Sequence, residues 1–151
     1  MKLSLLIVLF ATSFSSFASL CLKTEDVIFS CPTKNGKFIS VCLGSGIPVQ
    51  YLFGVIDKIE LTLPKSKDDK VSYNSIMYSG GGGGYVRFKA GVMEYIVHST
   101  MGKGFDRAGV IVQKGGKKIA EVICKTSTDV NLSMLEKLKI EKEEFGIDPT
   151  I

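Results

Sequence analysis

The side chains of this chain that could assemble a hydrolytic site crowd into one stretch, YSGGGGGYVRFKAGVMEYIVHSTMGKG, at residues 78–104. Ser79 is a nucleophile by type, His98 is the chain's single histidine, and Glu94 stands four positions before it. Such groups act as acid, base and nucleophile only within hydrogen-bond reach of one another and with matched pKa values. The sequence contains no Gly-x-Ser-x-Gly elbow, no His-Glu-x-x-His and no Walker loop. The expectation is therefore a protein that is not an enzyme, with no catalytic residue, and with His98 as a surface histidine beside a cross-strand Arg87–Glu94 pair. Five consecutive glycines at 80–84 precede Tyr85. A strand follows them where phosphate binding needs a helix, so no nucleotide or other cofactor is expected. Glycine costs more backbone entropy on folding than any other residue. The run reads either as a slack connector or as a recognition loop in which Ser79, Tyr85 and free amides supply hydrogen bonds, with Tyr and Arg as interface anchors.

The four cysteines, Cys21, Cys31, Cys42 and Cys124, are a second source of chemistry. Zinc is the poorer reading, since their spacings are long and His98 is remote from all of them, so no metal is expected. An even count suits two disulfides in an oxidising compartment. Three pairings exist. The reading favours Cys21–Cys31 with Cys42–Cys124, because a two-residue turn at Asn35-Gly36 sets Cys31 and Cys42 diagonal rather than opposite.

Residues 1–18 carry Lys2, an apolar run and small residues at Ser16 and Ala18. This is the pattern of a secretory signal peptide cleaved near Ala18, too short for a membrane span, and it implies a periplasmic or secreted protein. Net charge is +4, placed as a mildly basic body and an acidic tail. A mixed, solvated surface accounts for that balance, and no nucleic-acid partner is expected.

The elements that must carry these residues read as β-structure. Short strands are predicted over 27–31, 37–42, 49–53, 58–63, 71–78, 85–89, 92–99, 109–114 and 117–125, punctuated by Asn35-Gly36, Pro48, Pro64 and Gly115-Gly116. In the fourth, Ile59, Leu61 and Leu63 should face a core. A two-residue turn at Ala90-Gly91 would pair Phe88 with Met93 and Arg87 with Glu94. Val86, Phe88, Met93, Tyr95 and Val97 would then share an apolar face, Tyr85, Arg87, Glu94 and His98 the other, outward face, and His98 would sit beside Gly83. After Cys124 an amphipathic helix is predicted over 132–145, capped by Asp129 or Asn131 and stopped by Gly146. The expected organisation is a signal peptide (1–18), an antiparallel β domain (19–125) of eight or nine strands in a barrel or sandwich, and a C-terminal helix and tail (126–151) packed on it.

The succession Ser79-Gly80 to Tyr85, then Gly91 and Tyr95, then Ser99-Thr100-Met101-Gly102-Lys103-Gly104 resembles the periplasmic and membrane-bound inhibitors of c-type lysozymes. That family is a small disulfide-containing β-barrel with a Ser-Gly-x-x-Tyr motif followed by Tyr-x-x-x-Thr/Ser-Lys-Gly. The resemblance implies Ser79, Gly80 and Tyr85 as the first motif and Tyr95, Lys103 and Gly104 as the second. It also implies that the serine enters a lysozyme cleft towards the catalytic carboxylates, assisted by the lysine. Here the first loop is two residues longer, and Met101-Gly102 precedes Lys103. The wider layout, with its Cys31 to Cys42 hairpin and Leu-rich tail, is similar to small exported bacterial proteins without an assigned activity. The functional expectation is an exported binding protein that blocks a peptidoglycan hydrolase through residues 79–85. Ser79, Gly80, Tyr85, Arg87, Tyr95, His98 and Lys103 would line the interface. A periplasmic immunity protein or an envelope-associated structural protein is the alternative.

Overall fold

The computed structural model describes residues 18–44, 46–126, 128 and 130–144. The expected signal peptide falls on residues 1–17, which, like Asp129, Phe145 and Gly146, lie outside the described residues. Among the described residues nine strands overlap the predicted ones, with β6 and β8 each beginning four residues earlier than expected: β1 (Asp26–Pro32), β2 (Phe38–Leu43), β3 (Gln50–Val55), β4 (Lys58–Leu63), β5 (Lys70–Tyr78), β6 (Gly81–Ala90), β7 (Met93–Gly102), β8 (Phe105–Lys114) and β9 (Lys117–Ile123). Helix α1 (Leu132–Lys137) and a two-residue strand β10 (Glu141–Lys142) follow. The fold is mainly β. It has two sheets, β1-β2-β3-β4 and β10-β5-β6-β7-β8-β9, that do not close into a barrel, so the arrangement is sandwich-like. Every pairing is antiparallel except β10 on β5.

The two sheets share one core. Ile28, Ile39, Val41, Tyr51 and Leu63 of the first meet Tyr73, Val86, Phe88, Val97 and Val110 of the second, and Leu135 of α1 joins them. In β6 and β7 these are alternate residues, the period of a strand with one face inward. Ile59 departs from that pattern and is exposed. Gly54 pairs with Ile59 but Phe53 pairs with Leu61, so a bulge breaks the alternation between them.

The β6–β7 turn is Gly91-Val92, not Ala90-Gly91. Ala90 pairs with Met93, Phe88 with Tyr95 and Tyr85 with His98. Gly91 takes φ 61°, the value a two-residue hairpin asks of glycine at its first central position. Pairing slips by two residues from the expected register. An even slip keeps each side chain on its predicted face but moves its neighbours along. Thr100, not His98, therefore stands opposite Gly83.

The disulfides are Cys21–Cys42 and Cys31–Cys124, which overturns the favoured pairing. Cys42 is indeed not opposite Cys31; it faces Val27. What sequence spacing missed is that the chain after β9 returns to the β1–β2 turn. Thr33 bridges Cys124, and the Lys125 amide donates to the Pro32 carbonyl at 2.8 Å. Cys124 is thereby delivered to Cys31. Two disulfides place the protein in an oxidising, extracellular type of compartment. No described helix is long and apolar enough to cross a membrane.

The helix is six residues, not fourteen. Asn131 occupies its N-cap without a side-chain hydrogen bond to the backbone. Lys139 at φ 57° turns the chain out of helix, and β10 then runs along the β5 edge. An open strand edge offers unpaired backbone groups, and the tail satisfies part of this one: the Glu143 amide donates to the Tyr73 carbonyl at 3.0 Å.

Candidate functional site

Two turns meet at one end of the six-stranded sheet. Ser79-Gly80 joins β5 to β6, and Lys103-Gly104 joins β7 to β8. Gly80 and Gly104 have φ of 87° and 88°, which only glycine adopts without strain. The Lys103 amide donates to the Gly80 carbonyl at 3.2 Å, tying the turns side by side. Ser79, Gly80 and Lys103 are thus brought together, and all three are exposed.

The glycine run is not a loop. Only Gly80 lies in the turn, and residues 81–84 are strand. Along one row, Tyr78, Gly81, Gly102 and Phe105 are successive cross-strand partners. A Cβ on Gly81 would come 2.3 Å from the Met101 carbonyl oxygen and 2.5 Å from the Tyr78 ring, and one on Gly102 would come 2.5 Å from the Phe105 ring. The two rings fold inward over the glycines and stack, with centroids 5.8 Å apart. The Tyr78 hydroxyl donates to the Met101 carbonyl at 2.8 Å. On the opposite face, Gly82 lies between Met77 and Met101, whose side chains are 82% and 48% exposed. A shallow groove of about 600 Å³ runs over this side-chain-free floor.

The other predicted site residues lie elsewhere. Tyr95 is on the core face, its ring 5.8 Å from that of Tyr51. Tyr85, Arg87 and His98 do share the second face, but that face is not open. Tyr85 is wholly buried with Ile96 and Ile111, and His98 is 4% exposed. Arg87 is fixed by two carboxylates: Nη1 donates to Glu94 at 2.5 Å and Nε to Glu143 at 2.7 Å. Glu143 also accepts from Ser72 at 2.5 Å and from the Tyr85 hydroxyl. Burial by itself would raise the Glu143 carboxyl, but the hydrogen bonds from Ser72, Tyr85 and Arg87 outweigh it and hold the group below the usual carboxylate range. Glu143 was missed because the expected helix over 132–145 took it up, whereas it lies beyond β10, beside the β5 edge. No local signal links it to residues 56 to 71 positions away.

His98 Nε2 is buried with no hydrogen-bond partner among the described residues. Burial pushes its pKa down to about 4, Glu121 opposes that shift, and Arg107 and Lys118 add to it. The imidazole is therefore neutral at physiological pH. Its cross-strand partner is Tyr85, itself paired with Asn74, which puts His98 about 16 Å along the sheet from Ser79 at the usual rise per residue. Ser79 and His98 do not form a nucleophile–base pair. The Glu94 carboxylate is held by Arg87 and Lys89 rather than by His98. All four cysteines are disulfide-bonded, which leaves no thiolate for zinc.

Fold and site together define a disulfide-linked, two-sheet β protein that presents a pair of tied turns and a glycine-floored strip at one sheet end. No family model, curated protein or solved structure matches the chain.

Proposed function

We propose that this is an exported, non-enzymatic binding protein. It engages a protein partner through the sheet end built from Ser79-Gly80, Lys103-Gly104 and the strip between Met77 and Met101. The observation that carries the reading is the tie between the two turns. It holds the two exposed turns that carry Ser79 and Lys103 against each other through their backbone. Pre-ordered contacts lose little entropy on binding. The methionines beside the bare glycine floor offer adaptable apolar contact. The partner class that fits is a cell-wall glycoside hydrolase. Such a cleft holds a pair of carboxylates, to which Ser79 and Lys103 can donate. The resemblance of these residues to the lysozyme-inhibitor motifs points the same way. Only the tied turns would enter a cleft, since residues 81–84 belong to the sheet. Tyr85, Arg87 and His98 would support the edge from within rather than touch the partner.

The test is inhibition of a panel of lysozymes and other peptidoglycan hydrolases by the purified, oxidised protein. At least one activity should fall at micromolar protein. Lys103→Glu should weaken that inhibition about tenfold or more while thermal unfolding is unchanged. If every activity is untouched, the hydrolase-inhibitor reading is lost.

A further inference from the structure

At the opposite end of β5 from the tied turns, about 25 Å along the strand, a cleft of about 580 Å³ opens between the two sheets. Its apolar lining comes from three separate segments: Ile47, Pro48 and Val49 before β3, Pro64 and Val71 around the β4–β5 connection, and Ile140 after the helix. Val49 belongs to the shared core, and Val71 and Ile140 pack against it, so the floor of the cleft is the core itself reaching the surface. Ile47 remains 40% exposed at the mouth.

The β4–β5 connection forms the polar rim. Asp69 organises it: its carboxylate accepts from the Lys65 amide at 2.6 Å, the Ser66 amide at 3.2 Å and the Ser66 hydroxyl at 3.1 Å. These bonds commit the acid to its own loop, and Asp69 lines the mouth together with Lys65, with which it interacts, and Lys67. Neither lysine forms a salt bridge among the described residues. The volume is that of a small-molecule site, apolar within with a few placed polar groups.

We propose that this cleft binds a free single-chain anionic amphiphile of the fatty-acid class, its chain on Ile47, Val49, Val71 and Ile140 and its headgroup at Lys65 and Lys67. Charge complementarity favours the anion, because the rim of the apolar floor carries two ammoniums against the one carboxylate of Asp69, which is already committed to the amides of its own loop and to Lys65. The separateness of the cleft from the tied turns makes this site independent of the proposed partner surface.

Laurate below its micelle concentration is the probe, titrated calorimetrically into the oxidised protein, with dodecanol as the uncharged control. Laurate should bind with one site per chain and more tightly than dodecanol. Lys65→Glu with Lys67→Glu should weaken laurate about tenfold or more and leave dodecanol unchanged. Ile47→Asp, at an exposed wall position, should abolish binding of both while the unfolding midpoint stays within a few degrees of the parent. Absence of laurate binding at millimolar ligand, or equal laurate affinity in the double lysine variant, overturns the proposal. Binding to phosphatidylglycerol vesicles without binding of free laurate also overturns it, in favour of a membrane-surface patch.

Discussion

His98 shows how far burial alone can move a side chain from its solution behaviour. Its folded-state pKa of about 4 lies below the ordinary value of 6.5. The unfolded chain therefore takes up this proton first as pH falls. The histidine's contribution to stability is complete above pH 6.5 and is lost between there and about 4. A shift of that size corresponds to a ceiling of about 3 kcal/mol. Urea unfolding of the parent and of His98→Gln across pH 7 to 4 should give a steeper fall in stability for the parent. Parallel profiles would mean that the imidazole is hydrated or paired. The sequence showed His98 as the lone histidine on the face of Tyr85 and Arg87, and that placement holds. Its burial was not legible, because face membership follows from strand period whereas exposure depends on what the rest of the fold does to that face.

Among the elements, β6 carries the lesson of the glycines. Within one run, chemically identical residues meet different constraints. A Cβ on Gly83 would stand 1.9 Å from the Ser99 carbonyl oxygen, and one on Gly84 would stand 2.7 Å from the Leu132 side chain. Gly80 meets nothing within 4 Å and is constrained only by its φ of 87°. Gly83→Ala must displace backbone and should destabilise by about 3 kcal/mol or more, as core overpacking does at its severe end. Gly80→Ala should cost about 1 kcal/mol of backbone strain, and Gly84→Ala should fall between them, since a leucine can shift. Equal losses in denaturant melts of the three variants would contradict this ordering. Shortening the run would not trim a loop; removing one residue from 81–84 would turn the rest of β6 over between its faces. Strand positions were legible because turn chemistry and alternation are local. The Gly91-Val92 turn was not, because both candidate turns contain the same glycine and only its place within the turn separates them.

For the whole molecule the decisive links are the long ones. Cys31–Cys124 joins β1 of one sheet to the residue following β9 of the other across 93 positions, whereas Cys21–Cys42 spans 21. In the chain-entropy account the longer closure is worth about 4.5 kcal/mol and the shorter about 3. Replacing Cys31 and Cys124 by serine should lower the unfolding midpoint more than replacing Cys21 and Cys42. The reverse order would show that the sheets hold together without that bridge. Glu143 acts at the same scale without a covalent bond, drawing the tail onto β5 and β6 through Ser72, Tyr85 and Arg87.

The sequence by itself determined the mainly β class of fold, the approximate places of its strands and which residues of the β6–β7 hairpin share a face. Each of these follows from a period of two and from turn residues acting over a few positions. It also singled out Ser79, Gly80 and Lys103, which the structure ties together. Only the tertiary structure decided the disulfide pairing, the burial of Tyr85 and His98, the brevity of the helix and the partnership of Glu143 with Arg87. Those depend on which distant segments come to lie against one another. Spacing along a chain carries no record of that when the connecting segments can return on either side of a sheet.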